Sequence, residues 1–236
     1  MAAKIIVSYD GTDYDHDALA LGRMLAQAGA SLALAYVRHT KESEDRREEL
    51  AQHEAEELLE GGAEWLGRPD VPRFVILSGS TPEGLRELAE QEHAAVVVFG
   101  SEYRTAPGHV DPQASARRLL EGGPLAIALA PAGLHQQPDF RIATVAAISE
   151  NGDPSAAETA EALAKGLGAN VAARAGEGPD LLVIGSRPGG VAGRVTVSAA
   201  AQYLIETVRC PVLVVPRGIA VRFDTAVARN AAELRQ

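Results

Sequence analysis

The chain has 236 residues, 46% hydrophobic but only 4% aromatic, with a formal net charge of −10 at pH 7 and a single cysteine. That length suits one large or two small globular domains built on Val, Leu, Ile and Ala, and the acidic balance argues against nucleic acid or an anionic membrane as a partner. One cysteine, Cys210, excludes an intramolecular disulfide and a multi-cysteine metal site, and no stretch approaches the ~18 uncharged apolar residues of a membrane-spanning helix.

The opening MAAKIIVSYD has too short an apolar run before Asp10 for a secretory signal, so a cytoplasmic location is expected. Lys4 to Tyr9 reads as a buried strand ending at Asp10-Gly11-Thr12. Asp17 to Ala28 follows as a helix, with Ala18, Leu21, Met24 and Leu25 at helical spacing and Gly29 as its stop. Ser31 to Val37 is a second strand. Glu42 to Leu66 is a long charged helix with an apolar stripe through Leu50, Leu58, Leu59 and Trp65 and an otherwise solvated face. Phe74 to Leu77 is a third strand, and Ser80-Thr81-Pro82-Glu83 starts a helix with a hydroxyl cap, an early proline and an early carboxylate, running to about Glu92. Ala95 to Phe99 is a continuous apolar strand, followed by a loop from Gly100 to Pro112, a helix from Gln113 to Glu121 and a strand from Leu125 to Ala130. Strands alternating with helices predict an α/β, doubly wound parallel sheet.

Residues 95–133 align without a gap on residues 180–218 at a constant offset of 85, with eleven of 39 positions identical. Among them are Gly100/Gly185, Ser101/Ser186, Gly108/Gly193, Leu119/Leu204, Glu121/Glu206, Pro131/Pro216 and Gly133/Gly218. The chain therefore reads as a tandem of one α/β module, with domains at 1–137 and 138–236 joined through His135-Gln136-Gln137-Pro138. In the second copy Arg141 to Ile148 is the first strand, and Ala156 to Leu167 with Gly168 repeats the first helix and its stop. Gly29 and Gly100 are 71 residues apart, whereas Gly168 and Gly185 are 17 apart. The second domain is thus abridged by about one strand and two helices, with Val171 to Arg174 as a short second strand. Pro179-Asp180 starts a further strand, Val212 to Val215 supplies another, and a short helix is expected near Thr225 to Leu234. An uncovered sheet edge in the shortened half should lean on its neighbour or on a second chain.

IIVSYDGT at the start, the Gly-Ser steps at 100 and 185, and the ending CPVLVVPRG together resemble a tandem universal stress protein over nearly the whole chain. The resemblance implies a flavodoxin- or Rossmann-like fold with strand order 3-2-1-4-5. It also implies that the last strands, Leu125–Ala130 and Val212–Val215, pair antiparallel as an internal pseudo-dimer, a homodimer being the other arrangement of that edge. Members of the family that bind ATP share a G-x2-G-x9-G-[ST] loop and an aspartate ending the first strand. Here Asp10 matches the aspartate, with Gly11 beside it, Val37 matches the apolar residue beside the base, and Gly100-Ser101 and Gly185-Ser186 begin the two loops. The remaining loop positions depart from the pattern: Tyr103, Gln113 and Ala114 in the first copy, Pro188, Ser198 and Ala199 in the second. Tyr103 adds bulk where main chain would approach a phosphate, and Pro188 removes an N–H. Each lost donor to a charged group matters by roughly 1.5–3 kcal/mol.

By this matching Ser149 stands where Asp10 does, so the first domain retains more of the nucleotide pattern. Arg104, Arg187 and Arg194 lie near the crevice, either to pair with phosphate or simply in solvent. Asp10-Gly11-Thr12 reads equally as a strand-ending turn with a cap. The six histidines, at 16, 39, 53, 93, 109 and 135, show no metal-ligand spacing, and no catalytic constellation is visible. The expectation is a non-catalytic stress-response protein without a cofactor, acting by small-ligand sensing or protein contact. The alternative is a protein binding ATP or AMP through its first domain, with slow hydrolysis or phosphotransfer.

Overall fold

The structure is a computed structural model that describes residues 3–41, 44–150, 152–172 and 178–223. The first half runs β1 (Lys4–Ser8), α1 (Asp13–Gln27), β2 (Ser31–Arg38), α2 (Asp45–Trp65), β3 (Arg73–Leu77), α3 (Thr81–Gln91), β4 (Val96–Phe99), α4 (Ala114–Leu120) and β5 (Ala126–Leu129). A single 3-10 turn at Leu134–Gln136 leads into β6 (Thr144–Ile148), α5 (Ser155–Leu167), β7 (Asn170–Val171), β8 (Leu181–Gly185), α6 (Ala199–Thr207) and β9 (Val212–Val215). The part of the expected second strand beyond Ala172 and the expected helix near 225–234 lie outside the described residues. Among the described residues no helix is long and apolar enough to cross a membrane.

The nine strands among the described residues form one sheet of order β3-β2-β1-β4-β5-β9-β8-β6-β7. Every neighbouring pair is parallel except β5 and β9, where Ile127 faces Val214, Ala128 faces Leu213 and Leu129 faces Val212 in antiparallel register. The first half has the order 3-2-1-4-5. In the second, β6, β7, β8 and β9 repeat that order without a counterpart of β3 or of its flanking helices among the described residues.

Both faces of this sheet are covered, which is why the central strands are apolar throughout rather than alternating. Ile5, Val7, Val96, Val98, Leu181, Val183, Leu213 and Val215 face α1, α2 and α5. Ile6, Val97, Phe99, Ile127, Leu129, Leu182, Ile184, Val212 and Val214 face α3, α4 and α6. Each of these two cores draws on both halves of the chain. Cys210 lies buried in the second of them, and burial pushes its thiol up to about 11, with Asp180 adding to the shift and the Leu182 amide opposing it. A thiol in that state is a small hydrophobe, not a nucleophile.

Two sequence expectations change in detail. The first helix starts at Asp13, not Asp17, because Thr12 takes extended backbone as its N-cap and Asp15 reaches back to the cap. In α2 the buried stripe begins only at Ala55, and Leu50 is exposed. The N-terminal turns of α2 are held by polar contact instead: buried Arg38 donates to both oxygens of Glu48 at 2.9 Å and to Gln52 at 3.3 Å. By contrast, Ser80 caps α3 as its sequence predicts, accepting from the Glu83 amide.

The connection after β5 is fastened, not loose. Buried Asp17 of α1 accepts the Gly133 amide at 2.8 Å and the His135 amide at 2.8 Å, and meets His135 Nδ1 at 2.6 Å. The two halves also touch where α1 meets α5. A Cβ on Gly166 would stand 2.4 Å from the Ala28 carbonyl oxygen and 2.9 Å from its Cα, so glycine alone permits that approach.

Gly166→Val should therefore push α1 from α5 and lower stability by about 1–3 kcal/mol, read as a fall in the urea midpoint. Gly61→Ala, in α2 where nothing lies within 4 Å of an added Cβ, should raise it by about 0.5–1 kcal/mol through helix propensity. Equal effects of the two would refute a close helix contact.

Candidate functional site

In an open α/β sheet, a crevice forms where adjacent strands send their following helices to opposite faces. Here β1 leads to α1 on one face and β4 to α4 on the other, and β6 and β8 do the same with α5 and α6. The crevice of the first half lies between the Asp10–Thr12 turn and the loop from Gly100 to Gln113, and that of the second between 149–154 and 185–198.

At the first crevice the turn's donors are taken by the chain itself. Asp15, 4% exposed, turns its Oδ2 back onto the β1–α1 turn and accepts from the Asp10 amide at 3.1 Å, the Thr12 amide at 3.0 Å and the Thr12 hydroxyl at 2.7 Å. Those amides are donors that an anion at this helix start would otherwise use. Burial raises the Asp15 carboxyl above the ordinary range, against the pull of these hydrogen bonds and of His16. Asp10 keeps more than a third of its surface open, yet enough chain crowds its carboxyl to push it up to about 6; burial contributes most, Asp15 adds to it, and His39 opposes it.

Gly11 has φ +78°, and a Cβ there would come within 2.9 Å of Leu58 from α2. It is a turn glycine beneath an apolar lid. Val37 stands two residues beyond the Ser8–Ala35 pairing, so the sheet brings it beside Asp10. It is buried in the core shared with α3, close under Gly84, and it also borders a cleft of about 400 Å3 with Tyr36, His39, Glu54 and Leu58.

Both Gly-Ser steps are held by buried hydrogen bonds of their serines. A Cβ on Gly100 would lie 2.3 Å from the Tyr14 carbonyl oxygen, so the exit of β4 is pressed against the first turn of α1. Ser101, 1% exposed, donates to the Ala130 carbonyl at 2.7 Å and accepts from the Asp111 amide at 3.2 Å. Ser186, 1% exposed, donates to the Val215 carbonyl at 2.8 Å and accepts from the Thr196 amide at 3.2 Å. Every partner in the second set lies 85 residues after its counterpart. The same offset relates Glu102 N to Asp111 O at 2.9 Å with Arg187 N to Thr196 O at 2.8 Å, and Gly108 N to Ala132 O at 2.7 Å with Gly193 N to Arg217 O at 2.8 Å. Each loop is thus zipped to the end of its neighbouring last strand.

Tyr103, 52% exposed, meets the Tyr14 ring edge-on at 6.3 Å and carries Arg104 over its face at 4.8 Å. Arg104 thus stacks on an aromatic ring, Arg194 donates to the Gly122 carbonyl at 3.4 Å, and Arg187 is exposed.

The second crevice differs. Ile5 pairs with Val96 and Val145 with Leu181, so the strand register sets Glu150, not Ser149, in the place of Asp10. The helices match at 139 but the strands at 140, and the sequence match followed the helices. Glu150 accepts from the hydroxyl of Ser198, the N-cap of α6. Asp153 accepts the Ser155 amide at 3.0 Å and the Gly218 amide at 2.9 Å. Burial would raise its carboxyl, but these amides and Arg217 outweigh it and hold it below the ordinary range. Around these groups opens a cleft of about 430 Å3 bordered by Glu150, Asp153, Ser186, Pro188 and Arg217. Nothing comes closer than 3.5 Å to a Cβ built on Gly185, so this Gly-Ser step is under no pressure from the preceding helix. Asp15, Asp17, Glu150, Asp153 and Arg217 were not singled out by sequence as site residues; the Thr12-x-x-Asp15 spacing was a signal for the first of them.

Ser101→Ala and Ser186→Ala should each cost about 1–3 kcal/mol by stranding a buried carbonyl and amide, measured by chemical denaturation; a loss in one only would break the equivalence. Asp10 titrates higher in the folded chain, about 6 against 3.8. Its contribution to stability is therefore full below pH ~4 and is lost as pH rises through ~6. Asp10→Asn should remove that decline and leave the variant the more stable at pH 7, by less than the whole shift because the side chain remains wet. Parallel stability–pH curves for the two proteins would contradict it.

Residues 1–110 match the universal stress protein family. No curated protein is a detectable match to the chain. Among solved structures, a universal stress protein from Archaeoglobus fulgidus DSM 4304 superposes with a TM-score of 0.68 at 14% identity, covering 91% of this chain and 98% of that one. A functionally unknown protein from Pseudomonas aeruginosa PAO1 superposes at 0.59 with 13% identity, covering 99% and 96%. At those identities the likeness is one of fold, and the sequence match lies in the first half. Residues 1–110 thus match the universal stress protein family, and the chain as a whole shares the fold of that family's solved members.

Proposed function

We propose that this protein is a non-catalytic stress-response protein that works by protein contact or by sensing a small ligand other than a nucleoside triphosphate. Its units would be residues 1–137 and 138–236, joined as an internal pseudo-dimer through β5 and β9, without a cofactor and in the cytoplasm. The observation that carries this reading is the Asp15 carboxylate seated on the Asp10 and Thr12 amides. A phosphate entering there would exchange satisfied hydrogen bonds for contact with a fixed negative charge. In the second crevice Glu150 and Asp153 oppose a polyanion in the same way, with Arg217 the one cation against them among the described residues at the cleft wall. Pairing β5 to β9 supports the pseudo-dimer, because it uses within one chain the edge that a second copy would need.

One feature favours the alternative, an ATP- or AMP-binding protein with slow hydrolysis or phosphotransfer. The cleft beside Val37 is open, and Asp10, Val37, Gly100 and Ser101 remain at the right strand ends. Calorimetric titration of the full chain with Mg-ATP and with AMP separates the two. We expect binding no tighter than about millimolar, since two or three lost donors each forfeit roughly 1.5–3 kcal/mol. Micromolar binding that weakens on Asp10→Ala would establish the alternative.

A further inference from the structure

The repeat creates a further opening, distinct from the clefts at Val37 and Asp153 and independent of the reading above. A slot of about 90 Å3 lies between α4 and α6, over the face of the β5–β9 pair. Its walls fall into pairs at the 85-residue offset: Pro112 with Val197, Leu120 with Ile205, Arg117 with Gln202, and Glu121 with Glu206. The slot therefore straddles the axis that exchanges the two halves, and each wall has its equivalent across that axis.

The chemistry divides between the middle and the ends. Pro112, Val197, Leu120 and Ile205 make an apolar middle, whereas Glu121 and Glu206 are exposed acids in symmetry-related places. The one cation among the described residues that line the slot is already engaged. Arg117 pairs with Asp111 through Nη2 and donates to the Pro112 carbonyl through Nε at 2.8 Å. Arg194 reaches the Gly122 carbonyl at 3.4 Å, not the Glu121 carboxylate. Glu206 receives only the neutral amide of Gln202, at 3.2 Å. An anionic or phosphate-bearing ligand meets no free cation among the described residues that line the slot. A short hydrocarbon with a positive charge at each end matches both the apolar middle and the paired acids.

We propose that this axial slot binds a short aliphatic diamine, with its methylene chain between Leu120 and Ile205 and its two ammonium groups toward Glu121 and Glu206. The full chain is titrated calorimetrically with 1,4-diaminobutane and 1,6-diaminohexane at about 0.15 M salt, where contacts between distant surface charges are screened. Butylamine and butane-1,4-diol serve as the one-charge and no-charge controls. A saturable diamine isotherm is expected, about tenfold tighter than either control. Glu121→Gln and Glu206→Gln, both exposed and compatible with folding, should each weaken it about three- to fivefold, the scale of a rim ion pair, and together should reduce it to the level of the diol. Equal binding of the diol, unchanged binding by the double variant, or no saturable binding of either diamine would each overturn the proposal.

Discussion

The antiparallel ladder between β5 and β9 is the constraint on which the rest of the molecule depends. Both strands are fully buried, Ala126 to Leu129 and Val212 to Val215, and neither could serve as a sheet edge without presenting apolar side chains and unpaired amides to water. Pairing them makes one continuous sheet, so the cores above and below it run across both halves. The ends of the same two strands also supply the carbonyls of Ala130 and Val215 that hold Ser101 and Ser186. The seam and the glycine loops are therefore one mechanical unit: a strand displaced from the ladder would take its loop anchor with it.

That coupling explains why the two loops have the same length although their residues differ. The distance along the chain from Ser101 to its amide partner is ten residues and to its carbonyl partner 29, and Ser186 has the same two separations. An insertion or deletion within either loop would break a buried hydrogen bond whichever ligand the crevice held. Side chains that point away from this zipper, such as Tyr103 and Pro188, are under no such restraint. Retained spacing in this chain reports the demands of folding, and by itself says nothing of a retained ligand.

Much of the fold was legible because apolar runs and glycine stops are local signals. The strands from Lys4, Ser31, Ala95 and Val212, the capped start at Ser80 and the stop at Gly168 all need only neighbours in sequence to be recognised. What the sequence concealed depended on partners far along the chain. Leu50 fits a helical stripe, but whether it is covered rests on Arg38 gripping Glu48 and so holding that end of α2 by charge. Glu150 was hidden by a one-residue difference between strand and helix offsets, which only the pairing of β6 with β8 resolves. Asp17 looked like the first residue of a helix, and its use as an anchor for Gly133 and His135 is separated from it by more than a hundred residues.

The shortened second half also accounts for how the surroundings of the two crevices differ. In the first half α2 sends Leu58 across the turn at Gly11, and the first turn of α1 closes on Gly100. The second half has no counterpart of α2 among the described residues, and its turn glycine, Gly152 at φ +76°, has nothing within 4 Å of a built Cβ. Gly185 is likewise uncrowded, so a cleft of about 430 Å3 remains between strand ends that are otherwise equivalent. Removing the covering helix opens this crevice, while Asp153 and Glu150 keep it acidic. A duplicated loop pair thus has two settings in one chain: a turn closed by its own Asp15 carboxylate beside the cleft at Val37, and a crevice uncrowded at both glycines and walled by Glu150, Asp153 and Arg217.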